Sequence, residues 1–472
     1  MALYLTGLLL LVAVLIALDD WRRGLFLCVV VAIVQDPLRK LVPDQPAYFI
    51  LLVGVVFIAV CIATPIRVAF DPSRITGWNR HIRNPFILLI ILILLQSAHS
   101  FALFANPVLT GLGLVSYIAP LPAMLLGHYY AKRNGYHGVE RWLWFYLVVA
   151  IVALITVCLE YFGIKWPILG EVGTGIIIYD ARVSSVLKAN SGSFRASEVA
   201  AWHAATAACL VVFFTTSKRL SVSRVAVALG IAFLLIGVGV LTGRRKMLME
   251  YAIFLSGYLF LILWFSRRWR NLAIIAALCG ALSYVGMGGM LGPDPVEVTR
   301  LEQTDNYSVY VARTQSVFGD AWGRFMELGL APIQWALDQY GVFGIGVGPG
   351  SQGGQHLGGG AEEFGGSAEG GLGKITMELG LPGLALVTWL GVALWRHIWD
   401  LLIGVSARSQ KLARMGYGLL AFLIANVATF TIATQVYGDI FVLLILGLCL
   451  GFLLAMPLLA EREVLRALRS RG

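Results

Sequence analysis

Charge is scarce in this 472-residue chain: Asp, Glu, Lys and Arg make up 13% of it, against about 25% in a soluble protein. That shortage excludes a water-soluble globular domain. Cysteine is scarce where it does chemistry. The six present (Cys28, Cys61, Cys158, Cys209, Cys279 and Cys449) all fall inside apolar runs and far apart. A disulfide framework and a cysteine metal site are therefore excluded, and the six read as small core residues. No Asp-x-Asp stands in an outward loop and no His/carboxylate cluster has metal-ligand spacing, so neither metal nor cofactor is expected. No signal-peptide cleavage pattern follows the first apolar run, which is expected to remain as a span.

What is abundant is apolar sequence. Hydrophobic residues make up 58% of the chain and the mean hydropathy is +0.80. Apolar runs of roughly 17 to 22 residues recur throughout, and about 20 suffice to cross a bilayer. The expected fold class is all-α, a polytopic helical membrane protein with 12 or 13 transmembrane helices. Spans are placed near 2–18, 24–36, 46–64, 85–104, 109–130, 142–160, 197–216, 225–242, 247–265, 272–291, 375–395, 415–434 and 440–459. The second is short and interrupted at Pro37, as a partial insertion would be.

The net charge of +10 would point to nucleic acid in a soluble chain. Here it collects in short loops, which is the pattern of cytoplasmic loops, and excludes that partner. Basic residues mark 19–23, 65–84 (Arg67, Arg74, Arg80 and Arg83), 131–141, 217–224, 266–270, 396–414 and the tail. With 13 spans all of these alternate onto one side. The opposite face receives 161–196, the turn "GRRK" at 243–246 and the long segment 292–374. Three regions follow: transmembrane helices over 1–291 with a smaller outer loop near 161–196, a large outer loop over 292–374, and transmembrane helices with a cytoplasmic tail over 375–472.

A loop as long as 292–374 is expected to hold helices of its own. Residues 308–341 fit one or two amphipathic helices, with Trp322, Phe325 and Trp335 on apolar faces. A glycine-rich stretch follows, and glycine permits close backbone approach to a ligand. It carries His356, Glu362, Glu363 and Glu369, and it leads into "GLGKITMELGLPGL".

Four places could carry chemistry. "LTGRRKM" (241–247) sets Arg244 and Arg245 on the outer face, against the positive-inside rule. Charges at membrane depth are costly and mark substrate paths, and arginine offers bidentate donors to phosphate. "GSFRASEVAAWHAA" (192–205) places Arg195 at a helix N-terminus, where an anion is already favoured; His203 within it reads as a satisfied buried histidine. Arg313 and Arg324 lie eleven apart on one helix face, a spacing equally suited to a solvated face. Glu369 stands nine residues before Glu378, at the outer mouth of a span, and His356 is the only histidine in the outer loop.

"GIGVGPGS" (344–351) followed by "AEGGLGKITMELGLPGL" (368–384) resembles the O-antigen ligase and O-antigen polymerase superfamily of bacterial membrane glycosyltransferases. So do the order of "GSFRASEVAAWHAA" and "LTGRRKM" before them. The family's Thr-x-Ser-Arg turn is matched with Arg245 on its arginine and Arg244 in place of its serine. Its ligases carry a His-Asn pair nine residues before the helix glutamate; here Glu369 and Gly370 stand there. That departure tilts the resemblance from ligase toward polymerase. The likeness covers roughly 180–435.

The resemblance implies a GT-C-like fold and an inner-membrane enzyme whose active site faces the periplasm. It implies an undecaprenyl-diphosphate-linked glycan as donor and a glycan or lipid as acceptor, with membrane lipids and a chain-length regulator as further partners. The expected reaction is inverting and metal-independent, with Glu369 as base, Arg245 on the leaving diphosphate, and Arg244, Arg195, Arg313, Arg324 and His356 as substrate-binding residues. Glu378 would support the fold. The alternatives are a ligase acting on lipid A core or protein, a transporter or flippase of the same lipid-linked glycans, and a structural assembly subunit. No internal repeat is found, which counts against transport.

Overall fold

The computed structural model describes residues 2–64, 75, 78–172, 177–180, 185–217, 222–244, 246–265, 323, 325–350 and 370–469. The chain divides into two compact units interleaved in sequence. The first is Met1–Ala63, Glu140–Ala321 and Tyr417–Asn426; the second is Thr64–Val139, Trp322–Gly416 and Val427–Gly472. Among the described residues seven helices are long and apolar enough to cross a membrane. The coarse expectation of a multi-pass helical protein therefore holds. The span placed at 272–291 lies outside the described residues.

In the first unit, α1 (Ala2–Asp19), α2 (Trp21–Lys40) and α3 (Leu52–Ala63) pack on one another. Asp20 caps α2, its carboxylate accepting the Arg22 N–H at 2.9 Å. The expected interruption at Pro37 is corrected: α2 runs through it to Lys40. Pro37 sits in the last turn, where it forfeits one i→i−4 bond and only three residues follow it in the helix, and the polar residues Gln35, Asp36 and Lys40 around it are buried rather than solvated. Gln35 is one of them. Its side-chain oxygen accepts the Val53 N–H at 3.2 Å, satisfying an otherwise orphaned donor in the first turn of α3.

The connection expected at 131–141 is present in shortened form: α6 (Pro120–Tyr161) is two helices that meet at Gly135, where φ is 70°. The loop expected at 396–414 is corrected, since α11 (Gly371–Arg408), which breaks at Gly380 with φ 70°, is helical through most of it. Lys and Arg lower hydropathy but are good helix formers, so the helices outlast the apolar runs. The expected all-α class holds, with one short addition. The 161–196 segment carries an antiparallel hairpin, β1 (Ile177–Asp180) and β2 (Ser185–Lys188), pairing Ile177 with Lys188 and Asp180 with Ser185.

The remaining helices of the first unit are α7 (Ser197–Ser217), α8 (Val222–Leu241) and α9 (Lys246–Phe265), with α7 buried along nearly its whole length. A polar chain crosses their interior. The Trp202 indole donates to Asn426 Oδ1 at 2.8 Å, and Asn426 Nδ2 donates to Glu250 Oε1 at 3.2 Å. All three side chains are buried.

The second unit holds α4 (Arg80–Phe104), α5 (Pro107–Ile118), most of the first half of α6, and α10 (Ala331–Tyr340) after a π-helical turn at Phe325–Leu330. It also holds α11, α12 (Gln410–Ile432, shared in part with the first unit), α13 (Ile440–Leu454) and α14 (Met456–Arg469). Asn79 and Asn106 cap α4 and α5, each accepting two backbone N–H groups. A core of Ile93, Val347, Ile375 and Leu379 joins α4, the 341–350 turn and the first turns of α11. Of the amphipathic segment expected at 308–341, 325–340 is helical; Trp322 and the residues before it lie outside the described residues.

Candidate functional site

Two polar clusters stand out, one in each unit. In the first unit the loop 189–196 leads into α7 and is held from three directions. From α2, the Asp36 carboxylate accepts the Arg195 N–H at 2.9 Å, and Lys40 Nζ donates to the carbonyls of Ile168, Gly192 and Phe194 at 3.2, 2.9 and 2.6 Å. From the end of α6, Glu160 Oε2 accepts the N–H groups of Ser191 (2.9 Å) and Gly192 (2.8 Å). Thr156, one turn earlier, accepts from the Ser193 N–H at 2.8 Å. From the α8–α9 turn, the Leu241 carbonyl accepts from Asn190 Nδ2 at 2.7 Å. Gly192 has φ 60°, and a Cβ there would meet Thr156 Oγ1 at 2.5 Å. Only glycine fits this bend.

Arg244 closes the cluster. Its Nε donates to Ser197 Oγ at 2.9 Å and its Nη2 pairs with Glu198 Oε1 at 2.7 Å. The turn carrying Arg244 is thus tied to the first turn of α7. Glu171 accepts the Ser197 N–H at 2.9 Å, and the Val172 N–H donates to the Arg195 carbonyl at 3.0 Å. The structure therefore brings the Arg195 loop and the Arg244 turn onto one helix end. Burial pushes the Lys40 ammonium down to about 8, against the opposing pull of Asp36, Glu160 and Glu171. Burial lowers Arg39 too; Asp36 opposes this and the nearby charge of Arg195 adds to it. Lys40, Arg39 and Arg195 thus share one neighbourhood with the carboxylates of Asp36, Glu160 and Glu171.

His203, one turn inside α7, is buried; its Nδ1 lies 2.8 Å from the Tyr146 hydroxyl and its ring stacks on Phe194 at 5.1 Å. These are the contacts of a satisfied core histidine.

In the second unit the turn 341–350 folds against α11. The Ile345 N–H donates to the Met377 carbonyl at 2.8 Å, and the Leu381 N–H to the Val342 carbonyl at 2.8 Å, across the Gly380 break. Gln96 of α4 donates to the Phe343 carbonyl at 2.6 Å. Glu378 is fully buried. Its Oε1 accepts from Gly348 (2.9 Å) and Gly350 (3.0 Å), and its Oε2 accepts from the Tyr117 hydroxyl at 2.6 Å. Gly348 has φ 116°, and a Cβ there would run into the Leu109 carbonyl at 2.5 Å. The glycines of "GIGVGPG" are needed for that approach.

Of the residues singled out from sequence, Arg195, His203, Arg244 and Glu378 are described. Arg245, Arg313, Arg324, His356, Glu362, Glu363 and Glu369 lie outside the described residues. Among the described residues no group of three or more His, Cys, Asp or Glu could hold a metal ion. Sequence reasoning missed Asp36, Lys40 and Glu160. The available signal for the first two was polarity: "QDPLRK" interrupts an apolar run. No family model matches the chain, and neither does any curated protein.

Proposed function

We propose that the chain is an inverting, metal-independent glycosyltransferase that polymerises or transfers undecaprenyl-diphosphate-linked oligosaccharide. It would work in the bacterial inner membrane as a GT-C-like enzyme of 12 or 13 spans, with 292–374 and the arginine turn facing the periplasm. The observation that carries the reading is the arginine junction. Two arginine-bearing segments far apart in sequence meet at the first turn of α7, the Arg195 backbone N–H held by Asp36 and the Arg244 side chain held by Ser197 and Glu198, all of them part-buried. Preorganised cations of this kind stabilise charge that develops in a transition state.

In this reading Arg244, tied to Glu198 and Ser197, fixes the turn that presents Arg245. Arg245 and Arg195, with Arg313 and Arg324, receive the diphosphate. The acceptor hydroxyl oxygen bonds to the anomeric carbon of the donor from the face opposite the leaving group. The carbon–oxygen bond to diphosphate breaks, its electron pair stays on the diphosphate, and the hydroxyl proton passes to Glu369. His356 would contact the acceptor. A carboxylate base and arginine cations would carry this displacement without a divalent ion.

The test is to delete the protein and measure the lipid-linked glycan that accumulates. Single repeats that fail to lengthen are the expected result and identify a polymerase; long chains left on the carrier identify a ligase. An unchanged pool would overturn the proposal, and repeats trapped on the cytoplasmic leaflet would identify a flippase instead.

A further inference from the structure

α14 (Met456–Arg469) follows the span α13 across a single residue, Ala455, and has two unlike sides. On the inner side Met456, Leu459 and Ala460 are buried, and the helix packs on α11. Two polar contacts fix its depth. Glu463 Oε2 accepts from the Oγ of Ser409, the residue that caps α12, at 2.7 Å. The Arg462 guanidinium donates to the Lys132 carbonyl. Arg462 and Glu463 therefore lie level with the end of α11, the start of α12 and the end of the first half of α6. Lys132, Arg133, Arg408 and Lys411 are exposed there, and Lys411 Nζ stands 3.7 Å from the centre of the Tyr136 ring.

On the outer side Val464, Leu465 and Leu468 are 39%, 49% and 62% exposed. Spacings of three and four residues make them neighbours on one helix face. The sequence sets arginine at 462, 466 and 469, and the same spacings align those positions in one stripe. Two carboxylates offset this charge only in part. Glu461 is exposed, Glu463 is engaged by Ser409, and Asp400 lies two turns back along α11.

Exposed basic side chains at the ends of spans mark the edge of the hydrocarbon layer. From Val464 to Arg469 the helix advances by about 1.5 Å per residue, roughly 8 Å in all, and the headgroup layer on one side of a bilayer is about 5–8 Å deep. Apolar side chains that face outward at that depth meet the acyl boundary, and arginine meets phosphate. We propose that α14 docks on acidic phospholipid, with Val464, Leu465 and Leu468 in the acyl boundary and the arginine stripe at the headgroup phosphates. Any phospholipid covers the apolar face; the excess of basic residues selects headgroups of net negative charge. The inference does not rest on the glycosyl-transfer reading.

The experiment places the full-length protein, one copy to a nanodisc, in phosphatidylcholine with or without phosphatidylglycerol. Amide hydrogen exchange is read over 461–469, and exchange over 440–454 of α13 shows that each variant is folded. Each arginine at an acidic surface is worth about fivefold in an equilibrium, so positions 466 and 469 should raise protection roughly 25-fold in the acidic discs. High salt should shrink that gain. Arg466→Gln combined with Arg469→Gln should remove most of it, with Arg462 left in place because it holds the Lys132 carbonyl. Leu465→Ser combined with Leu468→Ser should lower protection in both lipids. Equal protection in the two lipids, an acidic gain undiminished in the arginine pair, or unchanged protection in the leucine pair would overturn the docking. Protection that arises only when two copies share a disc would overturn it too, and assign the face to self-association.

Discussion

Replacing Glu378 should release the glycine-rich turn, by an amount that follows from its three hydrogen bonds. In Glu378→Gln the side-chain oxygen can still accept from Gly348 and Gly350, while the amide donates to the Tyr117 oxygen. Geometry survives and the charge assistance goes. A hydrogen bond to a charged group contributes about 1.5–3 kcal/mol and a neutral one about 1, so the cost is expected near 1–3 kcal/mol in all after partial relaxation. Glu378→Ala leaves three donors facing a cavity, at about 1–3 kcal/mol each. The sum is comparable with the whole stability of a typical domain, about 5–15 kcal/mol. The assay is amide hydrogen exchange in peptides covering 345–350, with 190–194 in the other unit as the internal control. Since about 1.4 kcal/mol is tenfold in an equilibrium constant, protection should fall about tenfold in Gln and a hundredfold or more in Ala. Unchanged exchange at Gly348 and Gly350 in the Ala variant would refute the anchoring role.

Two further outcomes are expected. Because burial depresses Lys40 to about 8, the unfolded chain holds more protons than the folded one from there up to the ordinary lysine range. The contribution of this group to stability therefore rises as pH climbs through that window and is flat below it. Melting curves between pH 7 and 10.5 should show this positive slope in wild type and lose it in Lys40→Met; equal slopes would contradict the assignment. Arg244→Lys should cost most of the coupling between the α8–α9 turn and α7, since an ammonium cannot hold Ser197 and Glu198 in one planar fork. Glycan output should fall in parallel with Arg245→Ala, and normal output from Arg244→Lys would separate the turn from the chemistry.

Apolar run length made the spans legible, because hydropathy measures what lipid measures. It could not mark the helix end at 396–408, where charged residues continue α11 past the bilayer-like stretch. Pro37 misled because it is usually a terminator; its position in the final turn of α2 is set by burial of Gln35 and Asp36. The hairpin at 177–188 had a signal in its β-branched run "IIIY", outweighed by the helical character of everything around it. Arg195 and Arg244 were visible as isolated charges at junctions between apolar runs. Asp36, Lys40 and Glu160 were not, because what gives them meaning is contact with a loop over 150 or, for Glu160, about 30 residues away.

The hydrogen bond from Asn426 to Glu250 spans 176 residues of sequence, and this has a consequence for biogenesis. A ribosome adding about 5–20 residues per second delivers Asn426 roughly 9–35 s after Glu250. During that interval α9 has entered its apolar surroundings with a carboxyl group lacking its eventual donor, and Trp202 waits likewise. The nascent chain must be sheltered by the insertion machinery, or keep α9 at the water boundary, until α12 arrives. Truncations ending before Asn426 should therefore be retained on that machinery or degraded, however apolar their spans.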